Sequence, residues 1–380
     1  MFPIIEVSGP AFERGRQHGE RARGRVERSI ATYARMFAYC GMDWREAQAR
    51  AAPYRDVIGG FDAALLEEID GIAAGSGRQA GEILALNART EILPPGYPGD
   101  PAPQWKALAE CNRGAGVPDW GECTALAVPR AVSATGGTLL AQNWDWLGWQ
   151  REALIVLRLT EDDGTGVLTL TEAGMLAKIG LNSHGFGVCL NILRSRDDGT
   201  RPGVPVHVLL RALLRRTSVA DAVAFSGRLS YGASSNVHCA DVSGDCAGLE
   251  CSPRGLYVVR GSGTVLYHTN HFLCGEPQAW ENTLAQSLST VPRLERAAAL
   301  VSGMPPRLSL ADVQQVLRDE SDGLLSICRR PDPAVGPELR LESVAGIVME
   351  LDTRVMHIAP DVPSKTTFRA VALERETALA

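Results

Sequence analysis

The sequence predicts an α+β fold, a sandwich of two antiparallel β-sheets covered by helices. Two observations lead to it: the first ninety residues have helical composition, and strand-forming runs follow one another from Cys123 onward with helix pairs between them. Such runs, in place of a strict alternation of strands and helices, indicate antiparallel sheets with segregated helices. The chain therefore divides into a helical part, residues 1–122, and a strand-rich part, residues 123–380, which pack as one globular unit.

Three helical segments are predicted in the first part. Phe12–Cys40 contains no proline, and Trp44–Ala74 is interrupted only by Pro53. Both segments are rich in Ala, Leu, Arg and Glu, which favour helix. A short third helix is predicted over Ala80–Arg89.

A long loop is predicted to join the two parts, from about Ile92 to Glu122. It contains six prolines and five glycines among its residues: Pro94, Pro95, Pro98, Pro101, Pro103, Pro118, Gly96, Gly99, Gly114, Gly116 and Gly121. Most connections have about 4 to 6 residues, and much longer ones are usually functional or disordered. A linker that is cut during maturation would explain its length.

Strands are predicted in the second part wherever β-branched and apolar residues alternate between turn residues. The predicted strands are Cys123–Val128, Thr138–Trp146, Glu152–Leu159, Gly166–Glu172, Ala177–Asn182, Phe186–Leu193, Ser235–Val242, Gly255–Val259, Thr264–Asn270, Ser343–Asp352, Arg354–Ala359 and Lys365–Leu373. The predicted helices are Val204–Arg216, Val219–Phe225, Val291–Val301 and Leu310–Asp319.

Composition and charge exclude several classes of function. The net charge of -6 provides no basic surface field for nucleic acid or anionic lipid. No window approaches the ~18 apolar residues that span a bilayer, and the first residues lack the pattern of a signal peptide. Nine cysteines without a recognisable framework fit a reducing compartment. We therefore expect a cytoplasmic protein that binds neither nucleic acid nor membrane.

Cys123 lies where the long loop enters the first strand of the second part. The turn Thr135–Gly137 then predicts a β-hairpin. If the hairpin folds about Ala134, Asp145 lies directly opposite Cys123, with Cβ atoms ~4.5 to 5.5 Å apart. A turn centred on Gly136 and Gly137, or a slip in register, would remove this pairing.

A carboxylate beside Cys123 has a chemical rationale if the chain is cut before this residue. The freed α-amino group, with a reference pKa of about 7.7 to 8.0, can then act as the base for its own thiol. Asp145 would orient that amine, and no histidine partner is required. The sequence also lacks a G-x-S-x-G elbow, a P-loop and an H-E-x-x-H motif.

The sequence predicts neither a metal site nor a cofactor. Four candidate ligands cluster in the sequence, namely His238, Cys239, Cys246 and Cys251. Their spacing matches no common zinc pattern, so we interpret them as buried structural residues.

Two segments around Cys123 carry a resemblance to a known family. GECTALAVPRA, over Gly121–Ala131, and GGTLLAQNWDW, over Gly136–Trp146, resemble the processing site and first hairpin of the acyl-coenzyme A:6-aminopenicillanic acid acyltransferase family, a group of N-terminal-nucleophile hydrolases. Other segments resemble the family in the same order along the chain: Phe12–Glu20, Asn87–Ile92, Ile179–Asn191, Tyr267–Phe272 and Ser326–Asp332.

The resemblance implies a four-layer αββα fold, built from two chains that one precursor yields by self-cleavage between Glu122 and Cys123. Cys123 would be the nucleophile of both self-cleavage and turnover, and Asp145 the orienting carboxylate. Asn270 would donate to the oxyanion, and Arg329 would act electrostatically near the substrate. The cleaved helical chain would remain a partner of the larger one.

The expected activity is cleavage or transfer of the acyl group of an amide through a thioester at Cys123. Whether water or an amine resolves the thioester is left open, and so is the identity of a small-molecule amide or acyl-thioester substrate. N-acyl amine conjugates, such as β-alanyl amines, are as compatible with the sequence as a β-lactam. The alternative is a catalytically silent binding or assembly module with the same fold.

Overall fold

The computed structural model describes residues 1–93, 123–282, 287, 289–333 and 340–374. Most of the predicted loop, including Glu122, lies outside the described residues. Within the described ranges, no helix combines the length and the apolar character needed to cross a bilayer.

The first part of the chain is helical, as predicted, with one additional strand. Its elements are β1 (Ile4–Ser8), α1 (Ala11–Arg21), α2 (Arg23–Tyr39), α3 (Trp44–Ala51), α4 (Tyr54–Phe61), α5 (Ala63–Ser76), α6 (Ala80–Asn87) and α7 (Arg89–Ile92). The predicted helical segment from Trp44 is interrupted at Pro53, as expected, and also at Asp62, where no break was predicted. Asp62 has an extended backbone, and its side chain accepts from the N–H groups of Ala64 and Leu65, so it caps a new helix.

The second part contains the predicted strands with small shifts at their ends. Its first strands are β2 (Cys123–Val128), β3 (Leu139–Leu147), β4 (Leu154–Thr160), β5 (Gly166–Glu172), β6 (Ile179–Asn182) and β7 (Phe186–Ile192). The strands that follow are β8 (Ser235–Asp241), β9 (Cys246–Ser252), β10 (Gly255–Arg260), β11 (Leu266–His268), β12 (Leu341–Glu350), β13 (Val355–Ala359) and β14 (Arg369–Ala372). The helices are α8 (Val206–Leu213), α9 (Val219–Ser226), α10 (Thr290–Ser302) and α11 (Leu310–Leu317). Sequence analysis missed β1 and β9.

Within the described residues, the strands form two sheets. The order is β1-β4-β5-β6-β7-β8-β9-β10 in an eight-stranded sheet and β11-β2-β3-β12-β13-β14 in a six-stranded sheet. Neighbouring strands are antiparallel except β1 and β4, which pair in parallel at one edge. The prediction of antiparallel sheets therefore holds everywhere but at this edge, where the unpredicted β1 joins from the helical part.

The sheets stack face to face, and helices cover both outer faces. Strands β2 and β3 contact β7 and β8 across the interface between the sheets. On the outer face of the six-stranded sheet, Leu126 and Leu139 share a core with Val313 of α11. On the far face of the eight-stranded sheet, α2 contacts β5, and α1 contacts β1. The layers are thus αββα, and both faces of the central strands are buried.

Helices α1 and α5 pack unusually closely because glycines face each other. Gly15 and Gly19 of α1 lie against the backbone of α5, and Gly71 and Gly75 of α5 lie against that of α1. A Cβ atom at any of the four would overlap backbone atoms of the facing helix. Two of these glycines belong to the segment Phe12–Glu20 that resembles the family, so in this chain that segment contributes to helix packing.

We therefore expect Gly71→Ala to lower the free energy of unfolding by about 1 to 3 kcal/mol, the usual cost of overpacking. Gly60→Ala is the matched control, since Gly60 is exposed in α4 and a Cβ there meets no atom. The control should be neutral or slightly stabilising because alanine favours helix. Urea unfolding followed by circular dichroism measures both, and equal stability of the two variants would contradict the packing account.

The helical part binds the second part through buried polar contacts. His18 of α1 accepts from the Gly174 N–H at Nε2, over 3.1 Å. Asn87 accepts from the Leu176 N–H at 2.9 Å and donates to the Gly174 carbonyl at 2.9 Å. These contacts hold residues 174–176, which connect β5 to β6, against the helices.

Candidate active site

Cys123 is the first residue of β2, and its backbone is held by three buried side chains. The residue is 4% exposed. Its peptide N–H donates to Oδ1 of Asn270 at 2.7 Å. Its carbonyl oxygen accepts from Nη1 of Arg293 at 2.7 Å and from Nδ2 of Asn191 at 3.1 Å. Both backbone polar groups of the predicted nucleophile are therefore fixed.

The thiol of Cys123 is protonated at neutral pH in this environment. Burial raises its pKa to about 11, and the nearby Asp145 carboxylate contributes in the same direction. Lys178, the Asp145 peptide N–H and Arg293 oppose this rise in pKa because they stabilise the thiolate. A nucleophilic reaction at this sulfur therefore needs a base.

The predicted direct pairing of Asp145 with Cys123 is wrong by one residue. In the β2–β3 hairpin, Cys123 lies opposite Trp144, and Val128 lies opposite Leu139. The connection over residues 129–138 includes a 3-10 turn and does not fold symmetrically about Ala134. Because side chains alternate along a strand, this shift places the Asp145 side chain on the other face of β3 from Trp144.

The Asp145 carboxylate is instead anchored to β12. Asp145 pairs with Ser343, whose Oγ donates to Oδ1 of Asp145 at 2.5 Å. A register shift in β12 follows immediately, between Ser343 and Ala345. Asp145 still lies next to Cys123 along the hairpin, close enough for its charge and its peptide N–H to affect the thiol.

Asn270 lies just after β11 and is fixed on every side. Its peptide N–H donates to Oγ1 of Thr290 at 2.8 Å, and its Nδ2 donates to the Ile192 carbonyl at 3.0 Å. Its Oδ1 accepts from Nη2 of Arg293 at 3.0 Å in addition to the Cys123 N–H. The structure therefore brings Asn270 and Cys123 into direct contact, through the carbonyl oxygen of the amide.

Arg329 lies beside Asp145 and is joined to it through Ser343. It is 3% exposed, and its peptide N–H donates to Oγ of Ser343 at 2.9 Å. Its guanidinium donates from Nη2 to the Leu324 carbonyl at 3.3 Å. The predicted residues thus form two groups: Cys123 contacts Asn270 directly, and Asp145 is connected to Arg329 through Ser343.

Comparison with known proteins identifies the family. Residues 132–338 match the family model described as acyl-coenzyme A:6-aminopenicillanic acid acyl-transferase. Over 343 residues, the chain is 30% identical to the 40 kDa form of acyl-coenzyme A:6-aminopenicillanic-acid-acyltransferase from Emericella nidulans, covering 86% of this chain and 84% of the relative. The chain belongs to this acyltransferase family.

Two solved structures are similar to this chain at low sequence identity. A mutant of conjugated bile acid hydrolase from Clostridium perfringens is 13% identical, with a TM-score of 0.44 over 66% of this chain and 92% of the hydrolase. Penicillin V acylase from Agrobacterium tumefaciens is 13% identical, with a TM-score of 0.42 over 68% of this chain and 83% of the acylase.

Sequence analysis of this acyltransferase family member missed Arg293 and assigned no role to Asn191. Arg293 lies in α10 and is 1% exposed. The sequence of this helix alone is typical of a surface helix, so it did not indicate a buried arginine. Asn191 ends the segment Ile179–Asn191 that carries the family resemblance, and this position was the available signal. No local pattern predicts that α10 turns an arginine toward Cys123.

Sequence analysis also missed Lys178, a buried charged residue on the face of the β2–β3 hairpin that carries the Trp144 side chain. Lys178 is 3% exposed, and its Nζ lies 3.6 Å from the centroid of the Trp144 ring and 3.5 Å from Oε2 of Glu172. Tyr33 of α2 donates to the other oxygen of Glu172. Arg89 of α7 lies 4.0 Å from the same carboxylate. The cluster joins helices of the first part to the site in the second.

Proposed function

We propose that the chain is the precursor of an N-terminal cysteine amidohydrolase or acyltransferase that cuts itself between Glu122 and Cys123. The observation that carries the proposal is the setting of Cys123, a buried strand-initial cysteine whose backbone is clamped by Asn270, Arg293 and Asn191. Family membership supports the same chemistry. After cleavage, residues 1–122 and 123–380 would be the two chains of one enzyme.

The residues have distinct roles in this proposal. Cys123 attacks the acyl carbon, and its freed α-amino group accepts the thiol proton. Asn270 holds that nitrogen through Oδ1, and its Nδ2, which donates to the Ile192 carbonyl in the uncut chain, would donate to the oxyanion during turnover. Asp145, oriented by Ser343, provides negative charge beside the new terminus. The Arg329 peptide N–H donates to Ser343 Oγ and so helps to hold the hydrogen bond between Ser343 and Asp145.

The cleaved helical chain would remain bound. The buried contacts of His18 and Asn87 with residues 174–176 cross from the first part of the chain to the second. The ion pair of Arg89 with Glu172 does the same. Breaking one peptide bond leaves these contacts in place, so the two chains should copurify and separate only in denaturant.

The proposed substrate is a small amide or acyl thioester, from which the acyl group passes to Cys123 and then to water or an amine. The relative from Emericella nidulans is named for transfer from coenzyme A to 6-aminopenicillanic acid. This chain belongs to the same family as that relative, which supports acyl transfer as the reaction. Binding without turnover remains the competing proposal for a chain with this fold.

Acylation of Cys123 distinguishes the two proposals. We expect a p-nitrophenyl acyl ester to give a burst of p-nitrophenolate and to add one acyl group to the fragment that begins at residue 123, because a covalent intermediate accumulates. The added mass should be removed by hydroxylamine, which cleaves thioesters. Intact-mass spectrometry measures both. Correctly processed protein that acquires no acyl group would support the silent module.

A further inference from the structure

Self-cleavage raises a problem that turnover does not. Before the cut, the nitrogen of Cys123 is a peptide amide whose N–H donates to Asn270, so it cannot act as a base. Burial raises the pKa of the Cys123 thiol to about 11, so the sulfur carries its proton at neutral pH. A different group must therefore accept that proton in the uncut chain.

Three charged side chains act most strongly on this thiol, namely Asp145, Lys178 and Arg293. A guanidinium stays protonated in proteins, so Arg293 cannot accept a proton. The Asp145 carboxylate already accepts the Ser343 hydroxyl, on the face of β3 opposite to Trp144. A carboxylate is also ordinarily a much weaker base than an amine. Lys178 is the remaining candidate.

Lys178 is placed where a base for Cys123 is needed. It immediately precedes β6, and its Nζ lies 3.6 Å from the ring centroid of Trp144. Trp144 is the cross-strand neighbour of Cys123, and directly opposed side chains share one face of a sheet. The amine and the thiol therefore lie on the same buried face of the hairpin, each acting electrostatically on the other.

The choice of lysine at this position is notable for this chain. Only three of its 38 basic residues are lysines, Lys106, Lys178 and Lys365. Other fully buried basic positions, such as Arg211 and Arg293, are arginines. Desolvation readily removes the proton from a buried lysine but not from an arginine. The chain thus has lysine at the buried cationic position where proton release would be useful.

The groups around Lys178 have opposing effects on its pKa, so that both its neutral and its charged form are accessible near neutral pH. Burial lowers the pKa of Lys178 to about 7, with Glu172 and Cys123 raising it and Arg89 lowering it. The imidazole of His207 is kept neutral because burial lowers its pKa well below the usual value. Once protonated, the ammonium is stabilised by Glu172 at 3.5 Å and by the face of Trp144.

We propose that Lys178 accepts the thiol proton of Cys123 in the uncut chain and returns it to the departing nitrogen. The sulfur then bonds to the carbonyl carbon of residue 122, the bond from that carbon to the Cys123 nitrogen breaks, and the nitrogen takes the proton from Lys178. One water hydrolyses the resulting thioester, leaving a carboxylate at residue 122 and a free thiol. This role rests on the proposed self-cleavage.

Pulse-chase in a cell-free translation system tests the role on the full chain, since newly made precursor can be followed by gel electrophoresis. Lys178→Met removes the amine but keeps an unbranched apolar side chain, and Lys178→Arg keeps the charge but cannot release a proton. We expect both variants to cleave at least 100-fold more slowly than the wild-type chain. Lys365→Met, at an exposed lysine, is the matched control and should cleave normally.

The pH dependence separates proton transfer from a structural role. Only the neutral amine accepts a proton, so wild-type cleavage should slow about tenfold per pH unit below about 7. Ethylamine added to Lys178→Ala should restore part of the cleavage. If the variants fail to fold, the wild-type profile decides the matter, and a flat rate from pH 5 to pH 8 would overturn the role.

The outcomes also distinguish this inference from the proposed function. If Lys178→Met or Lys178→Arg cleaves within threefold of the wild-type rate, Lys178 is not the proton acceptor, although self-cleavage stands. If the wild-type chain itself is never cut, self-cleavage fails, and the role of Lys178 fails with it.

Discussion

Cys123→Ala should leave one uncut chain of 380 residues with no acyl-transfer or amidase activity. The substitution removes the only atom that the proposal allows to attack the carbonyl carbon of residue 122, and no neighbouring group replaces it. The wild-type protein should instead give two fragments on a denaturing gel, of about one third and two thirds of the length. Alanine fits the buried position, so the variant should fold and accumulate as precursor.

Cys239→Ala is the matched control for this variant. Cys239 is a fully buried cysteine of β8 whose pKa burial raises, as at Cys123, but it lies mid-strand and has no role in the proposed reaction. The control loses the same sulfur atom from a comparable environment. We expect it to be cut and active. Cleavage of Cys123→Ala at the normal position would show that another nucleophile or a separate protease cuts the chain.

Asn270→Ala should have the second-largest effect. Oδ1 of Asn270 accepts from the Cys123 N–H and from Arg293, so the substitution leaves both donors without this acceptor. Loss of an oxyanion donor costs about 10² to 10³ in kcat, or ~2.7 to 4 kcal/mol. We expect slower self-cleavage and, in the processed fraction, a fall in kcat of this size with little change in KM.

Asn270→Asp separates the two roles of this amide. Aspartate retains oxygen acceptors for the Cys123 nitrogen and for Arg293 but has no N–H to donate to an oxyanion. If donation matters, kcat of the processed fraction should fall as far as in Asn270→Ala. Asn282→Ala, at a half-buried asparagine outside the site, is the control. Near-normal kcat in Asn270→Asp would limit Asn270 to positioning Cys123.

Much of the fold could be predicted from the sequence because its local signals of secondary structure agree with each other. The strands Cys123–Val128 and Gly166–Glu172 have the predicted bounds, since turn residues flank apolar runs on both sides. β1 was missed because it pairs in parallel with β4, more than a hundred residues along the chain. Its five residues carry no local signal of that partner.

The site was less predictable than the fold. The resemblance implied a donor role for Asn270 near Cys123, and the structure brings these two residues into direct contact through the Asn270 amide oxygen, which accepts from the Cys123 N–H. The hairpin register was wrong by one residue because it depends on the shape of the 129–138 connection, which pattern alone does not specify. Arg293 and Lys178 were missed because their positions follow from how helices and sheets pack.

End-group sequencing of the purified wild-type protein is the most direct test of the central claim. Edman degradation of the larger fragment should begin with Cys-Thr-Ala-Leu, the residues from Cys123 onward, and should require no added protease. The smaller fragment should end at Glu122 by mass spectrometry. A single active chain that begins only at Met1 would contradict the account, because the proposed base of the mature enzyme would not exist.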